Sequence, residues 1–388
     1  MRETFPYVEE YIPEKTHKRL HLIYFTVKML LIGMIVFSVI QGIAMVAVVD
    51  DLSSVDGGNE FVSHTYCGTF FIDMNAENSF TSEEAAQKFL QGTEKSIAEN
   101  IVVTAMSVVL LICTFLALRN GDKKVVFSRN TPRLFLAAGI VYALGNVWLE
   151  YKNYSETKLL QDSFAGIFST WKYYCQLYDV LAIPVIIFCC GLVLRQHERK
   201  LHHQSTKEIS LALKATAIAT LIPAFGFILY RFGVRVYELI RTLSGAKISV
   251  RLPFYNMLLE LPYELAKTPS DYTNLILFRF VKDLPVFIAS AITVILFSMV
   301  LFSASKDEIN TTKNRKRITV SIIALIISSI LFNVLGLFEV NMLNQGFTGI
   351  YGNVTYTIGL RANCEPMLYA MVLWFFSTYM QCVPKSQI

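Results

Sequence analysis

The sequence predicts an all-α integral membrane protein, and three observations carry that prediction. Of its 388 residues, 54% are hydrophobic and only 17% charged, against about 25% charged in an ordinary soluble domain. The apolar residues fall in runs of about 20, the length a helix needs to cross a bilayer. Basic residues gather in short blocks between those runs, mostly on alternate connections, as an orienting charge bias is distributed. The net charge of +5 therefore does not describe a nucleic-acid face, which needs its cations on one surface.

Eight spans are expected, over residues 22–49, 99–118, 133–151, 173–195, 208–231, 275–303, 318–338 and 356–380. The first is too long for a signal-peptide core, so it is read as an uncleaved anchor behind a cytoplasmic segment, 1–21. Loops 119–132, 196–207 and 304–317 are basic, loop 50–98 is acidic, and 339–349 has no basic residue. The positive-inside rule then places both termini in the cytoplasm and loops 50–98 and 232–274 outside, in what is read as the cell membrane. Loop 232–274 runs against the rule, because it carries Arg235, Arg241, Lys247, Arg251 and Lys267. It is still placed outside, since moving it inward would put the other basic blocks on the wrong side.

The chain also repeats itself. LQDSFAGIF at 160–168 and LNQGFTGIY at 343–351 stand 183 positions apart. In the same register Tyr173 and Leu177 match Tyr356 and Leu360, and span order and loop charge overlay as well. This predicts a tandem 4+4 duplication, 22–205 and 206–388, with parallel units related by an axis along the membrane normal. Thr81-Ser-Glu-Glu84 reads as a capping box opening a helix. The segment Pro253–Lys267, too short and broken by Pro262 to span, reads as an interfacial helical or re-entrant element. Small residues Gly33, Gly139, Gly145 and Gly191 are the expected helix contacts.

Ionisable residues at membrane depth are costly and are the default functional candidates. Asp179 lies in the fourth span, Arg279, Lys282 and Asp283 open the sixth, and Arg361 and Glu365 lie in the eighth. All fall toward the outer face. Arg361 and Glu365 stand four apart and can pair on one helix, whereas Asp179 needs a partner from another span, for which Arg279 and Lys282 are the candidates. Asp179, Arg279, Lys282, Arg361 and Glu365 thus form the expected site for a polar or amphiphilic ligand entering from outside. The competing reading is that the same charges only hold helices together.

Other chemistry finds little footing. Seven cysteines and six histidines show no metal-ligand spacing, and no phosphate loop or nucleophile elbow is present. No cofactor and no metal are expected. Glu365-Pro-Met-Leu-Tyr369 is similar to the Asn-Pro-x-x-Tyr string of seven-helix receptors, but Glu replaces Asn and eight spans do not fit that family. Asp50-Asp51, at the mouth of the first external loop, resembles the placement of the catalytic carboxylate in membrane glycosyltransferases that use lipid-linked sugars. That resemblance implies a transferase with Asp50 or Asp51 as base or metal ligand. The expected function is non-enzymatic: a sensor or transporter-like protein, with an interaction subunit of a membrane complex and the transferase as alternatives. The expected partners are membrane lipid, a small polar ligand and a membrane protein.

Overall fold

The computed structural model describes residues 131–163, 171–173, 177–201, 203–254, 257–351, 354–360 and 365–380, two strands within 60–77, and scattered helical positions within 18–40 and 88–116. The protein is mostly helical. The helices are α1 (Thr131–Ser163), α2 (Leu177–Leu201), α3 (Lys207–Leu243), α4 (Pro269–Ser305), α5 (Thr312–Gly346) and α6 (Glu365–Met380). Four of them, α1, α3, α4 and α5, contain stretches long and apolar enough to cross a membrane. They correspond to the expected third, fifth, sixth and seventh spans.

The distribution of polarity around α5 points to a membrane location. Its buried face carries Asn314, Ser321, Ser328, Ser329, Gly336 and Glu339. Its exposed face carries Val320, Ile323, Ile327, Ile330, Val334 and Leu337, each about half exposed. A helix in water buries its apolar stripe. Here small and polar residues share the buried face with Ile318, Leu325 and Leu343, while the outward face is aliphatic, which is the arrangement lipid favours.

Helices α3, α4 and α5 have 37, 37 and 35 residues, so each is about 50–55 Å long at 1.5 Å per residue. That exceeds a hydrocarbon core of about 30 Å, and their ends must project beyond it. The starts of α4 and α5 are fixed by caps the sequence reading passed over. Thr268 Oγ1 accepts the Asp271 N–H at 3.1 Å ahead of Pro269, and Thr311 Oγ1 accepts the Asn314 N–H at 3.2 Å. Each satisfies one of the orphan donors of a first turn.

The main departure from an all-α expectation lies at one end of the bundle, where short strands replace helix. They are β1 (Glu60–Cys67), β2 (Phe70–Glu77), β3 (Trp171–Tyr173), β4 (Val250–Phe254), β5 (Met257–Leu261), β6 (Ile350–Tyr351) and β7 (Val354–Leu360). They form an antiparallel sheet of order β1-β2-β7-β6 and another of order β3-β5-β4. The interfacial helix expected within Pro253–Lys267 is instead mostly hairpin, followed by one 3₁₀ turn, Tyr263–Leu265. The residues expected to open the fourth and eighth spans are in strands through Tyr173 and Leu360. The physical reason is visible in Val354-Thr-Tyr-Thr-Ile-Gly-Leu360, whose β-branched and aromatic residues alternate with period two. Pro253 is tolerated because β4 is an edge strand. The capping box at 81–84 lies outside the described residues.

The hairpins pair across the chain. β2 pairs with β7, with Met74, Asn75 and Ala76 opposite Tyr356, Thr355 and Val354. β5 pairs with β3, with Met257, Leu258 and Leu259 opposite Tyr173, Lys172 and Trp171. All three pairs of one ladder become those of the other when each strand is moved by 183 positions. Helices α1 and α5 end at Ser163 and Gly346, again 183 apart. Asn344 ties helix to sheet: its side-chain amide donates to the Ile358 carbonyl at 2.7 Å and accepts the Ile358 N–H at 3.1 Å.

The main apolar core joins α1–α6 around Phe135, Cys189, Cys190, Leu213, Leu301 and Phe376. Two of the expected glycines set the α1–α2 contact. A Cβ on Gly191 would come within 2.8 Å of Leu136 Cγ and 2.9 Å of its backbone nitrogen, and one on Gly139 within 3.1 Å of the Pro184 carbonyl. Gly145 has only ordinary contacts with Met106, and a Cβ on Gly33 meets nothing within 4 Å among the described residues. Gly191→Ala must push backbone against backbone, so it is expected to destabilise the chain by about 1–3 kcal/mol. Gly33→Ala is expected to be neutral or slightly stabilising. Thermal unfolding of both variants in detergent checks the contrast.

Candidate functional site

Six charged residues from three helices meet near the strand-capped end. Helix α4 supplies Arg279, Lys282 and Asp283, α3 supplies Arg235 and Glu238, and α5 supplies Glu339. Residues three and four apart share a helix face, so the Arg279–Lys282–Asp283 spacing gathers these groups on one side of α4. That side lies in the seam where α4 packs between α3 and α5. Glu339 is fully buried, Arg279 is 2% exposed and Lys282 3%.

Glu339 takes both cations. Arg279 Nε lies 2.9 Å from Glu339 Oε1, and Lys282 Nζ donates to Glu339 Oε2. The Lys282 ammonium also lies 4.3 Å from the centre of the Phe332 ring, a cation–π contact that strengthens as water is excluded. Toward α3, Arg235 Nε donates to Asp283 Oδ2 at 2.9 Å, and Arg235 NH1 donates to Glu238 Oε2 at 2.7 Å. Lys282 Nζ and Asp283 Oδ1, 3.9 Å apart, join the two groups. Three cations therefore face three anions in one continuous network.

Depth can be placed by counting residues. Arg235 stands eight residues before the end of α3, Glu339 seven before the end of α5, and Arg279 ten after the start of α4. At 1.5 Å per residue the network lies about 10–15 Å in from the helix ends. Helices this long exceed a hydrocarbon core of about 30 Å by about 20–25 Å, which puts the network near its boundary when the excess is shared equally between the two ends.

Two of the five expected ligand-site residues, Arg279 and Lys282, are thus together, and among the described residues the carboxylate they share is Glu339. The side chains of Asp179 and Glu365, and all of Arg361, Asp50 and Asp51, lie outside the described residues. Sequence reasoning missed Glu339 because the seventh span was closed at residue 338. It treated Arg235 and Glu238 as loop charges because the fifth was closed at 231. The signal was present: the apolar pattern Leu335, Leu337, Phe338, Val340, Met342 runs past Glu339 without a break. Among the described residues no group of three or more His, Cys, Asp or Glu is placed to hold a metal.

No family model matches the chain, and neither a curated protein nor a solved structure is similar to it. The chemistry of the network therefore has to be read from its own geometry. Every cation has an anion on a neighbouring helix, so the network can bind three helices to one another. Removing one member strands a buried opposite charge, which costs about 3–5 kcal/mol. Glu339→Gln, leaving Arg279 and Lys282 without their anion, is expected to lower stability by about that amount. Lys282→Met/Glu339→Gln removes one charge of each sign and is expected to recover the part of the loss due to Lys282, Arg279 still lacking Glu339. Melting temperatures in one detergent order the two variants.

Proposed function

We propose that the chain is a non-catalytic interaction subunit of a membrane complex, whose buried charges lock its own helices instead of receiving a charged ligand. The observation that carries this reading is that Glu339 neutralises Arg279 and Lys282 from the adjacent helix. A receptor for an anionic group needs cations whose partners are supplied by the ligand. Here Arg279 and Lys282 each already face a carboxylate, that of Glu339, within residues 206–388. A sensor or transporter-like function would then have to rest on Asp179, Arg361 and Glu365, and a transferase on Asp50 or Asp51.

The finer architecture belongs to the same proposal: eight spans in two parallel four-helix units, with both termini cytoplasmic in a cell membrane. The shared strand register and the matched ends of α1 and α5 support the duplication. The burial of Arg235 supports the orientation, because it withdraws one cation from a loop that ran against the positive-inside rule. Antiparallel partners have Cα atoms about 4.5–5.5 Å apart, within disulfide range. Met74→Cys/Tyr356→Cys and Tyr173→Cys/Met257→Cys are both expected to cross-link on mild oxidation, as read by mass spectrometry of the linked peptides. Linkage in one pair alone would remove the main support for the duplication.

Function is tested with the charge-compensated Lys282→Met/Glu339→Gln variant. An interaction subunit should migrate in mild detergent above its monomer mass, and the compensated variant should enter the same assembly. Acetate, phosphate and glutamate at millimolar concentration should leave the melting temperature of both proteins unchanged. A wild-type chain that runs as a monomer, or that is stabilised by one of these anions while the variant is not, returns the site to a ligand.

A further inference from the structure

The opposite end of the same three helices carries a row of lysines that the ion network does not use. Lys207 opens α3 and Lys214 lies two turns on, Lys306 caps α4, and Lys313 and Lys316 lie in the first turns of α5. All five are exposed, and none makes an ion pair among the described residues. Acids at this end are engaged elsewhere. Asp307 accepts from Gln196 at 2.6 Å and from Lys200 at 2.7 Å, and Glu208 accepts from Arg199 at 3.1 Å. Glu308 is exposed beside the five lysines, which leaves the row strongly cationic.

The direction in which the lysines point decides what they meet. On α3, Lys207, Leu211, Lys214, Ile218 and Ile222 follow one another at helical spacing on a single face, with Leu211 68% and Ile222 66% exposed. On α5, Lys313, Lys316, Val320, Ile323 and Ile327 do the same, the three aliphatic residues again being about half exposed. Each lysine row therefore continues an outward aliphatic stripe on its own helix, rather than the buried seam. A lysine at the end of such a stripe lays its methylenes on the apolar surface and carries its ammonium to headgroup level. The N-termini of α3 and α5 add partial positive charge at the same level.

From this placement we infer that this end of α3–α5 is a binding surface for anionic phospholipid headgroups of the adjoining leaflet. The phosphodiester and any further anionic group sit among Lys207, Lys214, Lys306, Lys313 and Lys316, and the acyl chains lie along the Leu211–Ile222 and Val320–Ile327 stripes. A soluble phosphate would use the charges but not the stripes. The inference needs the chain to be in a bilayer and is independent of the role of the ion network at the other end.

The test uses the full chain reconstituted in vesicles of equal parts phosphatidylglycerol and phosphatidylcholine, followed by gentle extraction and mass spectrometry of retained lipid. The wild-type chain should retain phosphatidylglycerol preferentially. Near-surface lysines contribute about 1 kcal/mol each toward anionic lipid, equivalent to about fivefold in affinity. Lys207→Gln/Lys214→Gln and Lys313→Gln/Lys316→Gln should therefore each weaken retention by about 25-fold. Lys267→Gln, exposed at the strand-capped end, should leave it unchanged. Unchanged melting in pure phosphatidylcholine would show that these variants still fold. The inference is overturned if the wild-type chain shows no preference, if the variants keep it, or if their melting falls in phosphatidylcholine as well. It is equally overturned if millimolar inorganic phosphate displaces the lipid, because the site then reads soluble phosphate.

Discussion

A fully buried carboxylate between apolar helices must be given its counter-charge by the protein, and in this chain that requirement falls on Glu339. Neither hydrocarbon nor packed side chains can solvate it, and the effective penalty for leaving an ion uncompensated is several kcal/mol. Arg279 and Lys282 meet the requirement from α4, and Asp283, one residue on, is met in turn by Arg235 of α3. The position of α4 is therefore fixed twice. Turning it by one residue, about 100°, would carry its ions out of one seam or the other. A slip of α4 would separate Arg279 and Lys282 from Glu339 and Asp283 from Arg235.

The strand-capped end follows from the same geometry. Helices long enough to hold the ions near the hydrocarbon boundary must continue beyond it, and their last carbonyls need partners. Asn344, two residues before the end of α5, grips both backbone groups of Ile358 and so holds β7 against the helix end. Nearby backbone joins in: the Lys267 N–H donates to the Gly346 carbonyl, and the Thr348 N–H to the Leu265 carbonyl. The segment after α5 is thus tied to the segment before α4. The sheets then connect stretches far apart in sequence, β2 with β7 and β5 with β3, so each hairpin closes on the other half of the chain. Such long-range pairing carries a loop-closure cost.

What could be read in the sequence, and what could not, divides along physical lines. Periodicity and composition made the long apolar helices legible, because a run of about 20 apolar residues has few alternatives. Gly139 and Gly191 were legible as contact points because only a missing side chain permits that approach. The ends of helices were not, because an apolar window cannot distinguish Val354–Leu360, a strand, from the helix after it. Stopping α5 at residue 338 and α3 at 231 cost the reading Glu339, Arg235 and Glu238, and with them the partners of the very cations it had singled out. Arg279 and Lys282 were recognised as anomalous and offered to Asp179, with Glu339 left unconsidered, since sequence gives the depth of a charge and not the direction in which it points.

Direction also separates the two sets of charges that this helix trio carries. On α5, Glu339 belongs to the buried row with Ser328, Ser329 and Gly336, while Lys313 and Lys316 belong to the outward row with Val320 and Ile323. A buried charge can only meet another part of the protein, so its effect is to select one arrangement of helices. An outward charge at the end of an aliphatic stripe can only meet what surrounds the bundle, so its effect is to select an environment. Charged residues thus do different work on one helix: one row fixes how the three helices sit against each other, and the other faces what surrounds the bundle.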